Sequence, residues 1–73
     1  MFKPTNHAIQ RYQSRFAGNA SFEEAERRLL RVAQGARRRR ELPGKARLYT
    51  NRDVNLVISE GSIITVYRHE GVN

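Results

Sequence analysis

Histidine and arginine recur every four residues at His7, Arg11 and Arg15, within the stretch NHAIQRYQSRF. On an α-helix that spacing puts all three side chains on one side. Histidine moves a proton near neutral pH and arginine stabilises charge on a crowded phosphate, two of the needs of phosphodiester cleavage. A strand facing such a helix could complete the set, and the last strand offers Thr65, Tyr67 and Arg68. The competing reading is simple. His7 is then a surface residue of a first helical turn, with Arg11 and Arg15 in solvent, because no carboxylate stands beside His7 in the sequence to orient its ring.

A second group of residues suits binding rather than catalysis. The stretch ARRRRELPGKARLYTN, residues 36–51, brings together Arg37, Arg38, Arg39, Arg40, Lys45, Arg47 and Tyr49, and Arg52 follows it. In an extended chain Arg37 and Arg39 point one way, and Arg38 and Arg40 the other. One of these pairs is expected to join Lys45, Arg47 and Arg52 in a basic docking rim along an edge hairpin, extended by Arg27, Arg28 and Arg31 from the end of a helix. Tyr49, or Tyr67 if it faces outward, would add a flat stacking surface. A solvated edge and a short basic localisation signal are the alternatives for the same residues.

Composition narrows the classes. Fourteen Lys and Arg against seven Asp and Glu give a formal charge of +7 and a pI near 11.1. Only Lys3 and Lys45 are lysines, and the arginine fork pairs in two-pronged fashion with phosphate and carboxylate where lysine acts as a point charge. The partner is therefore expected to be anionic, as nucleic acid or an acidic protein groove. There is no cysteine, and His7 and His69 lie at opposite ends, so no metal set is expected. No glycine-rich phosphate loop is present, and neither a cofactor nor a small-molecule substrate is expected. The apolar runs are too short for a membrane, and Met1-Phe2-Lys3-Pro4 does not open a signal segment, so the expected location is the cytoplasm.

The elements that must position these residues follow from periodicity. Ala8, Ile9, Tyr12 and Phe16 recur at helical spacing, predicting a helix over 6–17 capped by Thr5 or Asn6 and stopped by a left-handed Gly18. Ser21 and Glu24 form a capping box for a second helix over 22–34, ended by Gly35, with Phe22, Ala25, Leu29, Val32 and Ala33 on its inner face. Glu23 with Arg27 and Glu24 with Arg28 are spaced for ion pairs. The period then changes to two, predicting strands over 38–42, 46–50, 54–59 and 62–68, with a tight hairpin at Glu60-Gly61. One α+β domain over 1–73 results, two helices packed on a three- or four-stranded antiparallel meander, with residues 1–4 and 69–73 as loose tails. Which sheet face the helices cover stays open, because Val57, Ile64 and Val66 make both faces partly apolar.

In this layout, NHAIQRYQSRF, a capped helix and a meander ending GSIITVYRHE, the chain is similar to small bacterial and phage domains related to RelE-type and barnase-like ribonuclease toxins. That resemblance implies a ribonuclease with active residues at His7, Arg11, Thr65 and Tyr67. The run Arg37 to Arg40 and the missing acid beside His7 depart from it. As a small, arginine-rich, cysteine-free chain it also resembles the RNA-polymerase-binding transcription regulators of Xanthomonas-infecting bacteriophages. This second likeness implies a non-enzymatic protein in the bacterial host cell that contacts the large polymerase subunits. It would displace the sigma factor at initiation and promote antitermination near the RNA exit channel. Exposed charge pairs contribute only ~0.3–1 kcal/mol each, so an apolar anchor is expected beside them, drawn from Phe2, Tyr49, Val57, Ile64 and Val66. A single-stranded nucleic-acid-binding domain touching RNA or DNA phosphates is the third reading.

Overall fold

A computed structural model describes residues 2–68. The element order is β1 (Lys3–Pro4), α1 (Asn6–Phe16), α2 (Phe22–Gln34), β2 (Arg37–Leu42), a single 3-10 turn at Pro43–Lys45, β3 (Ala46–Asn51), β4 (Val54–Ser59) and β5 (Ser62–Arg68). Both helices start as their capping residues direct. The Ala8 N–H donates to Thr5 Oγ1 at 3.1 Å, and the Glu24 N–H donates to Ser21 Oγ at 3.1 Å. Each cap satisfies an N–H group that has no partner inside its helix. Gly35 closes α2, its N–H donating to Arg31 O. Gly18 has no left-handed backbone; α1 instead ends through the Ala17 N–H donating to Gln13 O, and the Gln13 side chain ties the connection down by donating to Ala20 O at 2.8 Å.

The sheet order is β1-β5-β4-β3-β2. Strands β2 to β5 form the expected antiparallel meander, but Lys3–Pro4 is no loose tail. It pairs in parallel with β5, Lys3 opposite Ser62 and Pro4 opposite Ile63, making a five-stranded mixed sheet. Thr5 completes the junction, its Oγ1 donating to Ile63 O at 2.9 Å while its N–H donates to the same carbonyl. The tail expected at 69–73 lies outside the described residues. Because β1 and β2 occupy opposite edges, the helical pair joining them must run across one face of the sheet. That face holds the core: Ile9, Leu29, Leu56, Ile63 and Val66 are almost wholly buried, with Ala8, Tyr12, Ala25, Ala33, Val54 and Ile58 around them.

Two bulges set which residues look inward. Between β4 and β5 the register passes from Val57–Thr65 to Ile58–Ile63, leaving Ile64 as an extra residue. Ile63 and Val66 therefore both enter the core, and Ile64 is exposed. The second bulge falls between Arg38 and Arg40 on β2. Tight turns close the meander, and at Glu60-Gly61 both residues have positive φ (52° and 82°), matching the right-handed twist of the strands.

Candidate anion-binding surfaces

The helices leave the other face of the sheet open. Leu48 is buried yet lies outside the core cluster, and cross-strand pairing joins it to Arg40 on β2 and Val57 on β4. By the same alternation Arg37, Thr50, Asn55 and Tyr67 form the next row, one residue from each strand. Arg39, Arg40, Leu48, Thr50, Asn55 and Tyr67 line a shallow concavity of about 400 Å³. At its floor the Thr50 hydroxyl donates to Asn55 Oδ1 at 2.8 Å, which holds two polar side chains in one orientation. Tyr67 and Ile64 are the large apolar side chains most open to solvent among the described residues.

The β2 bulge changes the expected alternation of the arginines. Arg37 and Arg40, not Arg37 and Arg39 alone, share the open face, and the extra residue Arg39 joins them at the concavity. Arg38 pairs with Tyr49 and belongs to the helix side. Residues 37–41 are all exposed. As the outermost strand, β2 has one edge with no strand beside it among the described residues. The one ion pair on this strand is Glu41 with Arg47 at 3.8 Å, so none of the four consecutive arginines has an acidic partner among the described residues.

Other expected members of the rim are dispersed. Tyr49 is half-buried on the helix side, where its ring meets Phe2 edge-on at 5.3 Å, and so it is not an outward stacking surface. Arg47 shares that side through its pairing with Ile58. Lys45 and Arg52 flank opposite ends of the six-residue β3, about 23 Å apart at ~3.3 Å per residue. Arg27, Arg28 and Arg31 sit on α2, across the sheet from the concavity; Arg28 pairs with Glu24 at 3.0 Å, whereas Glu23 and Arg27 form no ion pair. Among the proposed apolar anchors, Val66 is core and Phe2 packs against it, while Val57 and Ile64 remain accessible.

The residues expected for phosphodiester cleavage do not assemble. His7 and Arg11 are exposed on α1, which packs on the core side of β5, whereas Thr65 and Tyr67 point to the opposite face. The sheet stands between them. Arg15 and Arg68 do meet: Arg68 Nη2 donates to Arg15 O at 3.0 Å, Nη1 donates to Asp53 Oδ2 at 2.7 Å, and its guanidinium lies 4.7 Å over the Phe16 ring. His7 is two helical turns from Arg15, about 12 Å along the axis. No cluster of three or more His, Cys, Asp or Glu able to hold a metal occurs among the described residues. No helix among them is long and apolar enough to cross a membrane.

Sequence reasoning missed the concavity because its members come from four strands, and the bulge that brings Arg39 and Arg40 together has no signature in RRRREL. Only the Arg-Leu-Tyr-Thr alternation in β3 signalled that Leu48 and Thr50 share a face. No family model, no curated protein and no solved structure matches this chain.

Proposed function

We propose that this protein is a non-enzymatic regulator that docks on the large subunits of bacterial RNA polymerase through β2 and the adjoining open sheet face. Sigma-factor displacement at initiation and antitermination near the RNA exit channel are the activities that go with this reading. The observation that carries the docking surface is the strand Arg37–Leu42, exposed over 37–41, at the sheet edge, with its four arginines unpaired among the described residues. Such an edge supports a partner in two ways. Its free backbone groups can extend the sheet with an acidic segment of the partner, and its guanidinium groups can grip carboxylates in two-pronged fashion. Val57, Ile64 and Tyr67 supply the apolar contact that exposed charge pairs need beside them. The polymerase as partner rests on the resemblance in overall make-up; the surface supports an acidic partner of that kind.

The test is direct binding to purified bacterial polymerase core enzyme, with sigma factor as competitor. Binding is expected, with sigma displaced, and with affinity falling at least tenfold when Arg37, Arg38, Arg39 and Arg40 are all replaced by Gln. No binding to core enzyme would end the polymerase reading, and unchanged affinity in the fourfold variant would return β2 to a solvated edge.

One feature favours a second reading, a single-stranded nucleic-acid binder. Tyr67 and the two arginines at the concavity combine a flat ring with phosphate-pairing groups, the combination that such binders use. Affinity for a single strand would then fall with salt and would drop in Tyr67→Ala.

A further inference from the structure

A second group of arginines lies on the helix side of the sheet, at the end where α1, α2 and the β3–β4 turn converge. There Arg15, Arg31, Arg52 and Arg68, with Asp53, line a cleft of about 550 Å³. Arg68 is engaged by Asp53, by the Arg15 carbonyl and by the Phe16 ring. Asp53 is thereby neutralised. Arg15, Arg31 and Arg52 have no acidic partner among the described residues, which leaves three positive charges unmatched around one cleft.

The backbone that carries these three arginines is tied down. The Asn51 amide donates to Val32 O at 2.8 Å, pinning the β3–β4 turn to the end of α2. Arg31 and Arg52 are the chain neighbours of those two residues, so their backbone positions are set by that bond. Arg52 is also followed by Asp53, which Arg68 holds, and its backbone sits in the left-handed region (φ 57°) that a non-glycine residue adopts at some strain. Arg15 is pinned through its own carbonyl by Arg68. Each free guanidinium thus grows from a backbone segment tied down by a specific hydrogen bond, which lowers the ordering entropy of gripping a ligand.

We propose that this cleft is a phosphate-binding site, distinct from the β2 surface, that takes two or more linked phosphates. Three guanidinium-bearing side chains lining one cleft match several phosphate oxygens, each accepting charge-assisted hydrogen bonds, better than they match a single carboxylate. Base stacking is not its mode of recognition, since Arg68 covers one side of the Phe16 ring and Tyr12 stacks 5.3 Å away. Specificity would rest on charge and spacing, as for a nucleic-acid backbone or a free polyphosphate. The proposal does not depend on polymerase docking.

The test follows the arginine Nε–Hε NMR signals of the whole chain during titration with inorganic pyrophosphate and, separately, with an eight-nucleotide single-stranded RNA. Saturable shifts at Arg15, Arg31 and Arg52 are expected, with binding weakened at least tenfold by combined R15Q, R31Q and R52Q substitution. Preserved spectral dispersion would show that the variant is folded, and R31Q alone, on an exposed turn of α2, serves as the milder variant with a several-fold loss. Tighter binding of RNA would assign the site to a nucleic-acid backbone, with log affinity falling against log salt at a slope of about −2 for three phosphates. Equal or tighter binding of pyrophosphate would assign it to a free polyphosphate. The proposal is overturned if the shifts do not saturate, if they centre on Arg39 and Arg40, if the variants bind unchanged, or if a ten-residue poly-glutamate binds as tightly at the same residues.

Discussion

The two faces of β5 put the same kinds of residue to opposite uses. On the helix side Ile63 and Val66 are sealed into the core, and Arg68 at the strand end is held by a carboxylate, a carbonyl and an aromatic ring. On the other side, among the described residues, Thr65 and Tyr67 look onto a surface with no helix over it, and the arginines nearest to them, Arg39 and Arg40, pair with no acid. Arginine is thus a structural clamp where a carboxylate and a ring lie within reach, as at Arg68, and an available cation where they do not, as at Arg39 and Arg40. A count of basic residues does not separate these roles; the presence or absence of a partner within reach does.

That contrast is open to attack, first at the buried core. Leu29→Ala removes a fully buried side chain between α2 and the sheet and is expected to lower stability by about 2–5 kcal/mol in chemical denaturation. Tyr67→Ser, on the open face, should change it by less than about 1 kcal/mol. Equal losses would mean that the open face is part of the folding core, and the division between the faces would collapse.

Next in size is the response of Arg37 to Arg40. Their joint replacement by Gln should leave the denaturation midpoint nearly unchanged while weakening binding to polymerase core at least tenfold. Cooperative unfolding of that variant at a markedly lower midpoint would show that the strand's charge is structural after all.

Arg68→Ala sharpens the comparison from the other side. It removes an exposed ion pair and a cation–π contact, together worth about 1 kcal/mol, and thermal denaturation should detect the loss. Arg40→Ala, with no such partners, should fall within about 0.5 kcal/mol of the parent. If the two arginines prove interchangeable in this respect, the clamp is not one.

The smallest expected effect is at the β4–β5 turn. Glu60 has φ 52°, which asparagine tolerates better, so Glu60→Asn should raise stability by up to about 1 kcal/mol without altering any binding. A change in partner affinity there would mean that the surface extends to the far end of the sheet.

Much of the fold is legible in the chain itself. Ser21 and Glu24 announce the second helix, the Ala8, Ile9, Tyr12 and Phe16 spacing the first, and Glu60-Gly61 the last hairpin, because caps, helical faces and two-residue turns are decided by neighbours within about four positions. What escapes is long-range. Lys3–Pro4 carries no strand pattern of its own and becomes a strand only because β5, some sixty positions later, offers an edge. The candidate site is legible as a store of charge in Arg37 to Arg40 but not as a geometry.

The sequence by itself determined the two helices, the meander, the α+β class and the excess of arginine, since each follows from local periodicity or composition. Only the tertiary structure decided which face each arginine serves. Two one-residue bulges, at Arg39 and Ile64, invert the alternation downstream of them, and nothing in RRRREL or SIITV marks where they fall. The separation of His7 from Tyr67 and the convergence of Arg15, Arg31 and Arg52 have the same origin. They depend on how the helical pair crosses the sheet, which burial of Leu29, Leu56 and Val66 sets for the molecule as a whole.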